Sequence, residues 1–166
     1  MVILRKSTPE DLAEVVELYE RSISIHHPWV YSPADYESYL KQEHRYFVCI
    51  SETGKIVGTF NISGIVRGYF QSAYLGYEVF HPYDGKGYMS KGMTLLLSEA
   101  FENLNLHRLE ANIQPENLSS IRLVSKAGFT KEGFSKKYLC VGGIEWKDHE
   151  RWAIINEFWS EIKTTL

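Results

Sequence analysis

No stretch of this sequence approaches the roughly 18 consecutive apolar residues that a membrane-spanning helix requires. The opening Met1-Val2-Ile3-Leu4-Arg5-Lys6 lacks the apolar core of a secretory signal. Cysteine is scarce, with Cys49 and Cys140 alone. Neither belongs to a CxxC pair or a Cys/His cluster, so the usual metal-site spacings are missing and no metal is expected. Both sit in apolar, β-like runs and read as reduced packing residues of a cytoplasmic protein. Positive charge is not in excess: 18 Lys and Arg face 21 Asp and Glu, for a net charge of −3. That argues against direct nucleic-acid binding or a membrane-surface role, both of which need a basic footprint. It leaves open a basic protein tail as partner. Repeats, low-complexity tracts and linkers are also lacking. The 166 residues, 44% of them apolar, suffice for one domain (1–166) with its own core.

What is present divides into short elements. Val2–Lys6 reads as a strand. Thr8-Pro9-Glu10-Asp11 starts a helix, with a capping hydroxyl, a proline in the first turn and acids at the positive end. Leu12, Val15, Val16 and Tyr19 supply its expected apolar stripe. Ser32-Pro33-Ala34-Asp35 repeats the start signal for a helix facing inward through Tyr36, Tyr39 and Leu40. The intervening Ile23–Val30 segment is too aromatic for a plain solvated loop. Tyr46–Ile50 and Lys55–Ile62 form a hairpin around Glu52-Thr53-Gly54, and Ala73–Phe80 is a further strand. A long helix is expected from Tyr88 to Asn103, a strand over Arg108–Gln114, and a helix from Asn117 to Lys126 closed by Gly128. Phe129–Tyr138 and Trp146–Ile155 make a closing strand pair, and the tail from Asn156 is expected as a short helix. Helices between the middle strands imply a crossover and the hairpin implies antiparallel pairing. The fold class is therefore α/β with a mixed sheet.

The loop Asp84-Gly85-Lys86-Gly87-Tyr88-Met89 lies at a strand-to-helix junction. Its glycines permit a sharp turn and close approach of a ligand. The N–H groups and dipole of the following helix suit an anion such as pyrophosphate. Neither GxxxxGK with Ser or Thr nor the third glycine of a dinucleotide fingerprint is present. On its own the loop is a phosphate cradle or a tight turn.

Context narrows this. Tyr74-Leu75-Gly76-Tyr77 followed by Gly85-Lys86-Gly87-Tyr88-Met89 resembles the cofactor motif of GNAT acetyltransferases, Q/R-x-x-G-x-G/A. Here its slots are Asp84, Gly87 and Met89; the central glycine matches and the outer two depart, while Gly85 and Met89 fit the RimJ/RimL-type branch. Asn117-Leu118-Ser119-Ser120 and Gly128-Phe129-Thr130-Lys131-Glu132-Gly133 fit that branch's Asn-x-x-Ser and G-F-x-x-E-G. Val66-Arg67-Gly68, Tyr138-Leu139 and Trp146-Lys147-Asp148-His149 are similar to ribosomal-protein-alanine acetyltransferases.

The resemblance implies a mostly antiparallel sheet with a splayed central parallel pair, flanked by helices, and acetyl-CoA as cofactor. It implies that backbone amides around Tyr77, Val79 and Phe80 pair with the pantetheine arm. Gly85, Lys86, Gly87, Tyr88 and Met89 would then hold the pyrophosphate, with Asn117 nearer the thioester. Direct transfer to an amine needs a proton acceptor and a donor to the sulfur. Glu78 is the first candidate base and Glu110 the second; for both the competing reading as a solvated or paired acid is the stronger, more so for Glu110, and a water relay is the alternative. Many GNAT enzymes carry a tyrosine donor where this chain has Val124, and Ser120 takes its place, unless it is a helix-surface hydroxyl. His26, His27 and Trp29 fall where the family folds over the acceptor, and Arg67 is either a groove charge or surface. The acceptor is expected to be a protein N-terminus or a small amine, with Glu37, Glu78 and Asp84 offering acidity. A homodimer is possible. A non-catalytic acyl-CoA sensor on the same fold is the rival class.

Overall fold

The computed structural model describes residues 1–161. Its chain runs β1 (Val2–Lys6), a 3-10 turn (Pro9–Asp11), α1 (Leu12–Arg21), α2 (Ile23–His26) and α3 (Tyr36–Leu40). Next come β2 (Arg45–Ile50), β3 (Ile56–Val66), β4 (Ser72–Val79) and α4 (Tyr88–Ser98), which continues as a π-helical segment, Glu99–Asn103. β5 (Arg108–Ile113), α5 (Leu118–Ala127), β6 (Thr130–Val141) and β7 (Glu145–Ile155) complete it. The short helix expected from Asn156 is absent over 156–161, where turns at 157, 158 and 161 alternate with irregular backbone, and its remainder lies outside the described residues.

The helix starts hold only in part: the Thr8 hydroxyl donates to Asp11 instead of capping, and α3 starts at Asp35, three residues past Ser32. Asp11 accepts from the Thr8 amide at 2.9 Å and holds both Nη atoms of Arg5 at 2.8 and 2.9 Å. That clamp turns Asp11 inward, so α1 buries Val15, Leu18 and Tyr19 while Leu12 stays 47% exposed. The expected stripe is thus rotated by one residue at its start. Asp35 caps α3 by accepting from Glu37 and Ser38 amides, and Gly128, at φ 101°, ends α5.

One seven-stranded sheet, ordered β1-β2-β3-β4-β5-β7-β6, carries every strand; β4 and β5 are parallel and all other neighbours antiparallel. Alternation splits the sheet into two faces. The row Tyr46, Phe60, Tyr77 points to α4 and α5, in the larger core with Met93, Leu96 and Val124. The next row, Phe47, Thr59, Glu78, points to α1–α3, beside a second core of Tyr19, Tyr39, Phe47 and Phe80. Glu78 therefore enters an aromatic layer rather than solvent.

α4 can lie close to the sheet because Gly92 faces it. A Cβ there would stand 2.7 Å from Val48 Cγ2 and 3.1 Å from Phe60 Cε2. Alanine ordinarily stabilises a helix by up to about 1 kcal/mol over glycine, but overpacking costs about 1–3 kcal/mol. Gly92→Ala is thus expected to lower the thermal midpoint, measurable by circular dichroism; an increase would show that α4 has room to shift.

Candidate functional site

β4 and β5 pair only from Ser72, Ala73 and Tyr74 to Arg108, Leu109 and Glu110. Beyond that point they separate, and a cleft of about 810 Å³ opens between them. The amide of Phe80 donates to Val57 O at 2.9 Å, so even-numbered β4 residues serve β3. By alternation Tyr77 and Val79 turn their backbone groups into the gap. The Val79 carbonyl is occupied by His26 Nε2 at 2.7 Å, which leaves the Val79 N–H and both groups of Tyr77 for a ligand. Phe80 does not share this role: its amide is spent on Val57 and its ring is fully buried.

Below the gap, Gly85 (φ 73°) and Gly87 (φ 82°) curl the chain into α4. Both values lie in the left-handed region that favours glycine. The first bond of the helix is Lys91 N to Gly87 O, so the amides of Tyr88, Met89 and Ser90 precede it and are offered at the cleft. Asp84 does not spoil this cradle. It lies outside the lining and is held by His81 Nδ1 at 3.0 Å. Lys86 lines the cleft with Arg122 and Lys126 of α5, two cations one helical turn apart that sequence reasoning missed. Their i, i+4 spacing behind the Asn-x-x-Ser segment was the available signal. Unpaired strand amides, a glycine cradle and three cations suit a long ligand bearing several phosphates, as a coenzyme A thioester is.

At the wall of α5, Asn117 caps the helix by accepting from the Ser120 amide at 3.4 Å. This fixes the backbone of Ser120, whose Oγ lies 2.6 Å from the Tyr77 hydroxyl. Tyr77 was expected to contribute backbone only, yet its phenol stands in the cleft beside Ser120. Val124 is fully buried in the core.

Glu78 lines the same cleft, and its Oε2 is buried without a hydrogen-bond partner. Burial pushes its carboxyl above the usual glutamate range, and Arg45 pulls partly the other way. Arg45 is itself buried: it donates twice to Gln42 Oε1, at 2.9 and 2.7 Å, and to Thr59 Oγ1 at 3.1 Å, and lies 3.9 Å over the Tyr39 ring. Glu110 has no such freedom. It accepts from Arg108 at 2.8 Å and from Asn112 at 3.3 Å, in a cluster that includes Glu132, and lies outside the lining.

The α2 end closes the upper rim. His26 and Trp29 line the cleft, and Gln114 of the β5 end donates to Trp29 O at 3.2 Å. With the His26–Val79 bond, this segment is tied to both lips of the gap. Burial holds His26 below the usual histidine range, and a carbonyl partner requires Nε2 to carry the proton, so His26 is a neutral donor. His27 is exposed against Tyr31 and Arg67 is exposed on Gln71; neither lines the cleft. The acidic groove expected from three carboxylates is not assembled, because Glu37 pairs with Lys41 on the exposed face of α3 and Asp84 with His81. Among the residues lining the cleft Glu78 alone is acidic. The lining also includes Trp29, Val30, Leu139 and Val141, and His149 of β7, which the sequence reading placed in a motif but gave no role.

Residues 1–130 match a family model described as an acetyltransferase (GNAT) domain. The chain is 37% identical over 106 residues to the [Ribosomal protein uS5]-alanine N-acetyltransferase of Escherichia coli strain K12, covering 64% of this chain and 54% of that protein. It spans 63% and 54% of the lengths of the first curated relatives it matches. Its structure resembles the ribosomal-protein-S5-alanine acetyltransferase of Vibrio fischeri, at TM-score 0.85 and 27% identity, covering 96% and 95% of the two chains. It also resembles Mycobacterium smegmatis RimJ in complex with CoA-disulfide, at TM-score 0.82 and 26% identity, covering 94% and 82%.

The burial of Glu78 has a measurable thermodynamic sign. A carboxyl whose native pKa is raised loses native-state stability as pH rises through that shifted range, because the folded protein must then bury a charge. Glu78→Gln removes that penalty. Its thermal midpoint is expected to exceed the parent's by a few degrees at pH 8, with the gap closing below the ordinary glutamate range. A gap independent of pH would show that Glu78 is not destabilised by burial.

Proposed function

The chain belongs to the GNAT acetyltransferase family, and on that premise we propose that it transfers an acetyl group from acetyl-CoA to the N-terminal α-amine of a protein. The observation that carries the acceptor class is the charge of the cleft: its lining holds the cations Lys86, Arg122 and Lys126 but a single carboxyl, Glu78, with Ile25, Trp29, Val30, Leu139 and Val141 also in the wall. A polyamine brings several positive charges and needs several carboxylates. An N-terminus brings one charge, followed by a side chain that an apolar wall accommodates. The uS5-alanine enzyme of E. coli, 37% identical over the matched region, supports the same acceptor class.

Amine basicity points the same way. An α-amine titrates near 7.7–8.0 and a lysine-like amine near 10.4, so at pH 7.5 about a third of the first is neutral against about one part in a thousand of the second. Glu78 then has a modest task. Its carboxylate takes one proton from the incoming ammonium and passes it to solvent, and its raised pKa brings it nearer the amine's. When bound, acetyl-CoA supplies an acyl group activated as a thioester. Tyr77 and Val79 align that ligand along β4, and the Val79 N–H is the donor the strand offers to the carbonyl oxygen as charge grows there. Gly85 to Met89, Lys86, Arg122 and Lys126 neutralise its phosphates. As the C–N bond forms and the C–S bond breaks, the second proton leaves the amine nitrogen and ends on the sulfur, giving the CoA thiol. Ser120 Oγ–H would meet the negative charge developing on the sulfur by hydrogen bonding until that proton arrives. His26 and Trp29 cover the reacting region.

The test is CoA release from acetyl-CoA with short peptides beginning Ala, Ser or Met, beside N-terminally blocked copies and polyamines. Release is expected only with free N-termini. Glu78→Gln is expected to lower kcat by about 10²–10⁴, and the acidic limb of the parent's kcat profile should lie above the ordinary glutamate range. Release with polyamines alone would overturn the acceptor assignment. CoA binding without release for any amine would favour the sensor.

A further inference from the structure

Ser120 meets the cleft through a hydroxyl that has two possible uses for its single proton, and the neighbouring phenol decides between them. Tyr77 Oη lies 2.6 Å from Ser120 Oγ and 3.2 Å from the Ser120 carbonyl oxygen. Two arrangements satisfy this geometry. In one, Tyr77 donates to the carbonyl and Ser120 donates to Tyr77, so the serine proton is turned away from the cleft. In the other, Tyr77 donates to Ser120 Oγ and the serine proton is free for a ligand. The distances rank them. Hydroxyl bonds centre near 2.7–2.8 Å and fade beyond 3.0 Å, so the carbonyl contact is the weaker. The Ser120 carbonyl also lies in the first turn of α5, where the helix ladder already supplies it with a donor four residues on. With an anionic sulfur in the cleft, the second arrangement makes two good bonds and the first makes one.

We propose that the Tyr77 hydroxyl is a positioning residue for the departing sulfur: it donates to Ser120 Oγ and so commits the serine proton to the cleft. This rests on the reading of Ser120 as the sulfur's hydrogen-bond donor. The surroundings of Tyr77 hold the phenol to that single use. Its ring is packed in the larger core, 5.8 Å from Phe60, and its chain neighbours are fixed in β4 pairing with β3. Burial raises its pKa, so it keeps its proton and acts by donating a bond, with no proton transferred. On the other side, Asn117 holds the Ser120 backbone through the helix cap. Serine is thus fixed at its amide by one wall and at its hydroxyl by the other. The phenol that α5 lacks at Val124 is supplied, one hydroxyl removed, from β4.

The experiment compares binding of CoA with desulfo-CoA by calorimetry at pH 10, because this alkyl thiol is less acidic than a cysteine and ionises largely only there, and so requires no acceptor. The parent is expected to prefer CoA by roughly tenfold, the worth of one hydrogen bond to a charged group. Ser120→Ala should abolish the preference. Tyr77→Phe, which keeps the ring, should remove most of it while leaving the affinity for desulfo-CoA unchanged. The double variant should lose no more than Ser120→Ala alone. A full preference in Tyr77→Phe beside its loss in Ser120→Ala would overturn the proposal and keep the serine reading. A parent with no preference, or Ser120→Ala retaining it, would overturn the serine reading and this proposal with it. Where Tyr77→Phe also weakens desulfo-CoA equally, the phenol's role is packing and the proposal fails.

Discussion

Everything at the site depends on an interruption: the parallel pairing of β4 with β5 stops after three residues on each strand. A parallel pair normally continues until a loop ends it. Here both strands continue and part, and each remains fully committed on its far edge, β4 to β3 and β5 to β7. The gap is therefore rigid on both sides and presents unsatisfied backbone at its lip. Buried peptide groups without partners are costly, so such an edge invites a strand-like ligand. The glycine cradle at the start of α4 and the Asn117 cap at the start of α5 flank the same gap, because both helices begin where β4 and β5 end.

Two faces of one sheet separate two kinds of work. Tyr77 points into the larger core and reaches Ser120, on the side of α4 and α5. Glu78 points into the aromatic layer under α1–α3, with Arg45 and Tyr39 near it. In the reaction we propose, one step along the strand would thus direct a hydroxyl toward the leaving group and a carboxyl toward the incoming amine, with the backbone between them aligning the thioester. The cost falls on Glu78, whose Oε2 has no partner. An unsatisfied buried carboxyl is a recognised form of function traded against stability.

Much of this architecture was legible in the chain because it is written in local chemistry. The stop at Gly128 and the glycines before Tyr88 act within a few residues, whereas the start read at Ser32 lies three residues before the actual cap, Asp35. The strand-to-helix position of the glycine loop carried the family resemblance. Features that depend on distant pairing were not legible. Asp11 looked like a first-turn acid, yet Arg5 draws it inward and rotates α1. Glu110 was the second candidate base after Glu78, and Arg108 on the same strand consumes it. Phe80 and Val79 are adjacent in sequence, and only the register with β3 tells which amide is free. Asp84, in the first slot of the loop motif, lies outside the cleft lining and is bonded to His81 three residues earlier. The phenol of Tyr77 and the ring of His149 gain their places only when β4, α5 and β7 come together.

The most direct measurement of the central claim is amide hydrogen–deuterium exchange at single-residue resolution, with and without saturating CoA. The account predicts that the Tyr77 and Val79 amides gain strong protection on CoA binding, while Phe80, already bonded to Val57, is unchanged. Saturated protein with Tyr77 and Val79 exchanging as fast as before would contradict it.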